Sequence, residues 1–123
     1  IKVSARRIVW GKTLGCGQNC ISPDYLFIHE SIKSKFVAAL KKAADEFFPI
    51  GMSKSKDYAR IVSDRHIDRQ ISMLEEIDKE KILGGGKYDK EERFMEFTLI
   101  DNPPPDSKIA TEEIFGPILP VYT

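Results

Sequence analysis

The chain has 123 residues, 41% hydrophobic and 31% charged, which is the balance of an ordinary soluble globular domain. Nineteen basic residues cancel nineteen acidic ones, so there is no positive excess to hold nucleic acid, and no apolar run approaches the roughly twenty residues that a membrane span needs. The length is one domain's worth, enough to bury roughly two thirds of the unfolded surface.

From the N-terminal side, Lys2 to Leu14 is predicted as a helix with Ala5, Ile8 and Val9 on one face, ended by Gly15. Tyr25 to His29 is a short apolar strand. Ser31 stands where it can cap a helix whose Ile32, Phe36, Val37, Leu40, Ala44 and Phe47 recur at helical spacing until Pro49 and Gly51 stop it. A second amphipathic helix opens near Ser63 or Asp64 and turns Ile67, Ile71, Leu74 and Ile77 inward. Strands are expected around Lys81–Leu83, Phe94–Ile100 and Ile118–Tyr122. Helices alternating with short apolar strands make an α/β layered domain. The chain opens inside a helical pattern at Ile1 and stops inside a strand-like run at Thr123, as expected of a piece of something longer.

Several eye-catching features have plain explanations. Gly84-Gly85-Gly86 lacks the Lys-Ser/Thr of a phosphate loop and reads as a flexible turn between strands. Pro103-Pro104-Pro105 reads as a stiff surface turn. Lys41-Lys42 and Glu75-Glu76 are solvated helix faces, and His29 and His66 are structural residues. There is no internal repeat.

The most informative run is Leu14-Gly15-Cys16-Gly17-Gln18-Asn19-Cys20-Ile21-Ser22-Pro23-Asp24-Tyr25. Glycines at 15 and 17 take positive φ at little steric cost, so the backbone can turn sharply and expose the Cys20 sulfur with nearby N–H groups. Pro23 forbids helix from resuming at once. A loop thiol held by such flanks is a candidate nucleophile. Taken alone, a cysteine is more often a small buried apolar residue. A structural zinc site would need His29 and His66 to complete Cys16 and Cys20 at irregular spacing, so no metal is expected. A disulfide framework needs more than two cysteines and a secretory context.

Near the other end stands Thr111-Glu112-Glu113-Ile114-Phe115-Gly116-Pro117-Ile118-Leu119-Pro120-Val121. Together with Gly17-Gln18-Asn19-Cys20 and Ser22-Pro23-Asp24-Tyr25, this run resembles the aldehyde dehydrogenase superfamily. Ala5 to Lys12, Ser55 to His66 and the Gly116-Pro117-Ile118-Leu119-Pro120 ending are similar to its class 3, fatty-aldehyde branch. The resemblance covers nearly the whole chain, in order.

That resemblance implies a mostly parallel sheet with flanking helices, and residues 1–123 as the nucleophile-bearing segment of the catalytic domain, with the dinucleotide-binding domain absent. It implies NAD(P)-dependent oxidation of a medium- to long-chain aliphatic aldehyde to the carboxylic acid through a Cys20 thiohemiacetal and thioester. A thiolate suits attack on a carbonyl, and the backbone N–H of Cys20 is the natural first donor to the oxyanion. Glu113 corresponds to the glutamate that bonds the nicotinamide ribose hydroxyls, and Phe115 to the aromatic beside the nicotinamide. A homodimer is implied, either cytoplasmic or on the cytosolic face of a membrane through a tail not present here. The family's general-base glutamate, its oxyanion-hole asparagine and its dinucleotide-binding segments have no counterpart in this sequence, and neither Glu30 nor Glu46 takes the base's place, so the chain alone is expected to be inactive. Thr13, Ser22 and Met95-Glu96-Phe97 depart from the family pattern, the last leaving local strand geometry open. Two readings of other classes stand beside this one: a non-enzymatic α/β module with Cys16 and Cys20 as a thiol redox pair, and a structural piece used in subunit assembly.

Overall fold

The computed structural model describes residues 1–123. Six strands, β1 (Leu26–Phe27), β2 (Ile82–Gly84), β3 (Tyr88–Asp89), β4 (Phe94–Met95), β5 (Thr98–Asp101) and β6 (Ile118–Tyr122), alternate with helices α1 (Lys2–Thr13), α2 (Lys33–Phe47), α3 (Asp64–Glu75) and the single turn α4 (Lys108–Thr111). The main sheet has the order β1-β6-β5-β2. β6 is parallel to both β1 and β5, and β2 closes the edge antiparallel to β5. This is the expected α/β architecture with a mostly parallel sheet; β3 and β4 form a separate antiparallel ribbon.

The period-two alternation of β5 and β6 divides the core. Leu99, Leu119 and Val121 face α1 and α2, where they meet Ala5, Val9 and Leu40. Ile100 and Ile118 face α3, where they meet Ile67, Met73 and Leu74. A three-layer sandwich results, and it fixes the loops at the ends of β6 between two buried faces.

Local chemistry explains where the elements depart from expectation. The strand foreseen over Tyr25 to His29 shortens to Leu26–Phe27 because it pairs on one side only, with β6. Ser31 caps no helix. The His29 side chain instead accepts from the Ser31 N–H to start a 3-10 turn, Glu30–Ile32, and α2 begins at Lys33 with no side-chain cap. The strand foreseen over Phe94 to Ile100 breaks at Glu96-Phe97, where Phe97 N–H turns toward the Met52 sulfur, and it becomes β4 and β5. Ile71 is only partly buried, whereas Ile67, Leu74 and Ile77 lie in the core. α3 opens where foreseen, and Ser63 caps it by accepting from His66 N–H at 3.1 Å. The glycine run joins β2 to β3, and a Cβ on Gly85 would strike the Phe97 carbonyl.

Candidate active site

α1 ends at Thr13, whose hydroxyl donates to the Val9 carbonyl at 2.8 Å. The chain then passes through the left-handed region at Gly15 (φ 59), Cys16 (φ 60) and Gly17 (φ 71). Glycine tolerates this conformation and cysteine does not favour it. Cys16 holds it because its side chain is locked in the core, where the thiol donates to the Tyr58 hydroxyl at 3.6 Å while that hydroxyl donates to the Met95 carbonyl at 2.6 Å. Burial pushes the Cys16 thiol up to about 11.

After this corkscrew, Gln18 fastens the loop to the segment opposite. Its amide donates to the carbonyls of Gly15 (3.0 Å) and Arg60 (3.1 Å), and its side-chain oxygen accepts from Val62 N–H at 2.9 Å. Asn19 closes an Asx turn by accepting from Ile21 N–H at 3.1 Å. Cys20 lies inside this turn, exposed, and its backbone N–H donates to no acceptor within the chain. The two cysteines therefore have opposite settings, one sealed under Tyr58 and one open.

Cys20, Glu113 and Phe115 line one cleft of about 220 Å3, together with Lys12, Asn19 and Asp24. The fold thus gathers the three residues singled out from the sequence, two of them from a segment far along the chain. Phe115 adopts a left-handed backbone, φ 49. Asp24 joins the two sides: its carboxylate accepts from Ile114 N–H at 3.3 Å. His29 remains at its cap on the 3-10 turn ahead of α2. His66, in contrast, reaches the site, since its Nε2 lies 2.6 Å from the Phe115 carbonyl and its ring meets the Phe115 ring edge-on at 6.0 Å. No group of three or more His, Cys, Asp or Glu side chains is placed to hold a metal ion.

Lys12 is the residue that sequence reasoning passed over. Only 1% of it is exposed, it makes no ion pair or hydrogen bond through its side chain, and it lines the cleft. Burial pulls it down to about 8, against the opposing pull of the Asp24 carboxylate. The signal was present in the pattern, because Ala5, Val9 and Lys12 recur at helical spacing and all three are buried on α1. A lysine on an apolar face is a residue held there for a reason.

All 123 residues match the model of the aldehyde dehydrogenase family. The chain belongs to the aldehyde dehydrogenase family. It is 45% identical over its whole length to the 4,4'-diaponeurosporen-aldehyde dehydrogenase of Staphylococcus aureus, covering 27% of that protein. It is 39% identical to the mouse dimeric NADP-preferring aldehyde dehydrogenase, covering 98% of this chain and 26% of that enzyme. Relatives of class 3 therefore match throughout, as the motifs implied. Among solved structures, the substrate-bound Staphylococcus aureus aldehyde dehydrogenase superposes with a TM-score of 0.93 at 42% identity, over 99% of this chain and 27% of that one. The aldehyde dehydrogenase segment described here spans about a quarter of the length of these relatives.

Proposed function

We propose that residues 1–123 are the nucleophile-bearing part of an aldehyde dehydrogenase catalytic domain, with Cys20 as the nucleophile and Glu113 and Phe115 as contacts to NAD or NADP. The single observation that carries this reading is that one cleft joins an exposed thiol to a carboxylate and an aromatic ring from a distant segment. The residues fit a nicotinamide nucleoside: a carboxylate accepts from two ribose hydroxyls, and an apolar ring fixes the plane of the base. Bound there, the cofactor would supply the hydride acceptor.

The Cys20 sulfur attacks the aldehyde carbon and a tetrahedral thiohemiacetal forms on it, with the unpaired backbone N–H of Cys20 as a donor for the oxyanion. Loss of hydride leaves a thioester on Cys20. Water cleaves that thioester to release the carboxylic acid and free the thiol, a step that needs a general base. We assign that base, the second oxyanion donor and the dinucleotide-binding domain to sequence outside this chain. The named activities of the Staphylococcus and mouse relatives support aldehydes as the substrate class and a dimer as the assembly, and a medium- to long-chain aliphatic aldehyde follows from the class 3 resemblance. No helix is long and apolar enough to cross a membrane.

A Cys16–Cys20 redox pair draws no support from the fold, since Cys16 is sealed in the core with its thiol raised to about 11 and a poor thiolate former. The deciding experiment is substitution in the full-length protein. Cys20→Ala should abolish aldehyde oxidation, while Cys16→Ala keeps most of it in whatever fraction folds. Equal loss of specific activity from both would overturn the assignment.

A further inference from the structure

Phe115 is a bulky residue in a backbone conformation that L side chains disfavour, and such a conformation persists only where its surroundings over-determine it. The surroundings here are one stripe of α3. His66, Arg69 and Gln70 stand at i, i+3 and i+4, which puts them side by side on the helix. Each donates to the loop. Gln70 Nε2 donates to the Ile114 carbonyl at 2.6 Å and Arg69 Nη1 to the same oxygen at 2.7 Å. Arg69 Nη2 donates to the Glu113 carbonyl, and His66 Nε2 to the Phe115 carbonyl at 2.6 Å.

Three consecutive carbonyls, 113 to 115, are thereby drawn toward α3. Peptide oxygens need partners, and satisfying all three from one side leaves the Glu113 and Phe115 side chains to line the cleft with Cys20. Asp24 completes the grip from the other side by accepting from Ile114 N–H. Gly116 lets the loop sit this close, because a Cβ there would run into the Gln70 amide. Arg69 also pairs with Glu112 at 3.6 Å, which extends the hold one residue further.

We propose that His66, Arg69 and Gln70 are positioning residues that hold Phe115 in its left-handed conformation and so set the Glu113–Phe115 pair against Cys20. The inference rests on the proposed function for its catalytic meaning and on the geometry alone for its mechanical one. The two can be tested apart.

The experiment uses the full-length protein with Arg69→Ala, Arg69→Lys, His66→Leu and His66→Gln. Amide hydrogen exchange over residues 112–116 reports the grip directly, cofactor KM and kcat report its catalytic meaning, and iodoacetamide alkylation of Cys20 reports the nucleophile loop. Arg69→Ala and His66→Leu should speed exchange over 112–116 at least about tenfold and raise cofactor KM by a similar factor, with Cys20 alkylation within about twofold of the parent. Arg69→Lys and His66→Gln, each retaining a donor, should recover part of both. Unchanged exchange with raised cofactor KM would overturn the proposal, because it would mean that these side chains touch the cofactor themselves. If Arg69→Ala does not fold, exchange in the His66 pair decides by the same criterion. A parent protein without aldehyde oxidation would sink the functional reading while the exchange data still settle the grip.

Discussion

The backbones of Gly17 and Gly116 meet with no room between them for a methyl group: a Cβ on Gly17 would collide with the Gly116 carbonyl and its carbon. The loop that bears Cys20 and the loop that bears Glu113 are thus seated directly on each other, with no side chain intervening.

Gly17→Ala tests that seat. The new Cβ meets both a left-handed φ of 71 and the Gly116 carbonyl, so the expected loss is about 2–4 kcal/mol of stability and most of the activity. Gly15→Ala has a similar φ of 59 but open space around it, and should cost only about 1–2 kcal/mol. Thermal unfolding of the two variants side by side measures the difference. Equal costs would show that contact with Gly116 contributes nothing.

Glu113→Gln keeps the shape of the side chain and one good acceptor while removing the charge. Hydride transfer in a single turnover should slow by about tenfold to a thousandfold, equivalent to roughly 1.4–4 kcal/mol, and cofactor affinity should weaken. Normal hydride transfer with a stalled acyl-enzyme would instead make Glu113 the hydrolytic base.

Lys12 makes stability depend on pH in a direction set by burial. Its folded value, about 8, lies below its ordinary 10.5, so between those two the unfolded state holds a proton that the folded state has released. Stability from this group therefore rises with pH through that window and is lowest below it. Lys12→Met removes the buried charge and should stabilise the protein below pH about 8, by at most about 3 kcal/mol, with the advantage shrinking toward pH about 10. Cys16 acts oppositely from pH 9 upward, because burial raises its folded thiol to about 11, and the Lys12 charge pulls that value down, so the two groups are coupled and the comparison is read below pH 9. Urea midpoints for the pair across this range measure the effect, and a pH-independent difference would contradict it.

Tyr58→Phe deletes one oxygen and leaves the buried Met95 carbonyl and the Cys16 thiol without their hydroxyl partner. About 1–3 kcal/mol of stability should be lost. Cys20 alkylation should be unaffected, since Cys20 does not touch this network. A change in alkylation rate equal to that of Gly17→Ala would show that the two loop segments move as one.

The fold was legible wherever periodicity reports burial. β6 was foreseen to the residue because Ile118, Leu119 and Val121 are buried from both faces and leave no polar interruption. α3 was foreseen, opening near Ser63 or Asp64, because Ile67 and Leu74 recur on one side. The start of α2 was not legible: Ser31 stands where a cap is expected, but its N–H donates to the His29 side chain in a 3-10 turn, and α2 starts after that turn with no side-chain cap. At the site, Cys20, Glu113 and Phe115 were recognised from their motifs, and the cleft brings them together. His66 was read only as structural, and Asp24 and Arg69 were given no role, because what they grip is backbone, Ile114 N–H and the carbonyls of 113 to 115, and a peptide group leaves no trace in residue identity.

β6 is the latest of the six strands in the chain, yet it lies in the interior of the sheet, hydrogen-bonded to β1 on one side and β5 on the other. During synthesis the sheet must wait with a gap at its centre until residues 118–122 arrive. Closing that gap joins segments far apart in the chain, which is the slow kind of contact in folding. The same insertion carries the residues just ahead of β6 down onto the loop that follows α1. A ribosome would therefore release the Cys20 thiol long before its pocket exists, and the pocket would then assemble in a single late event.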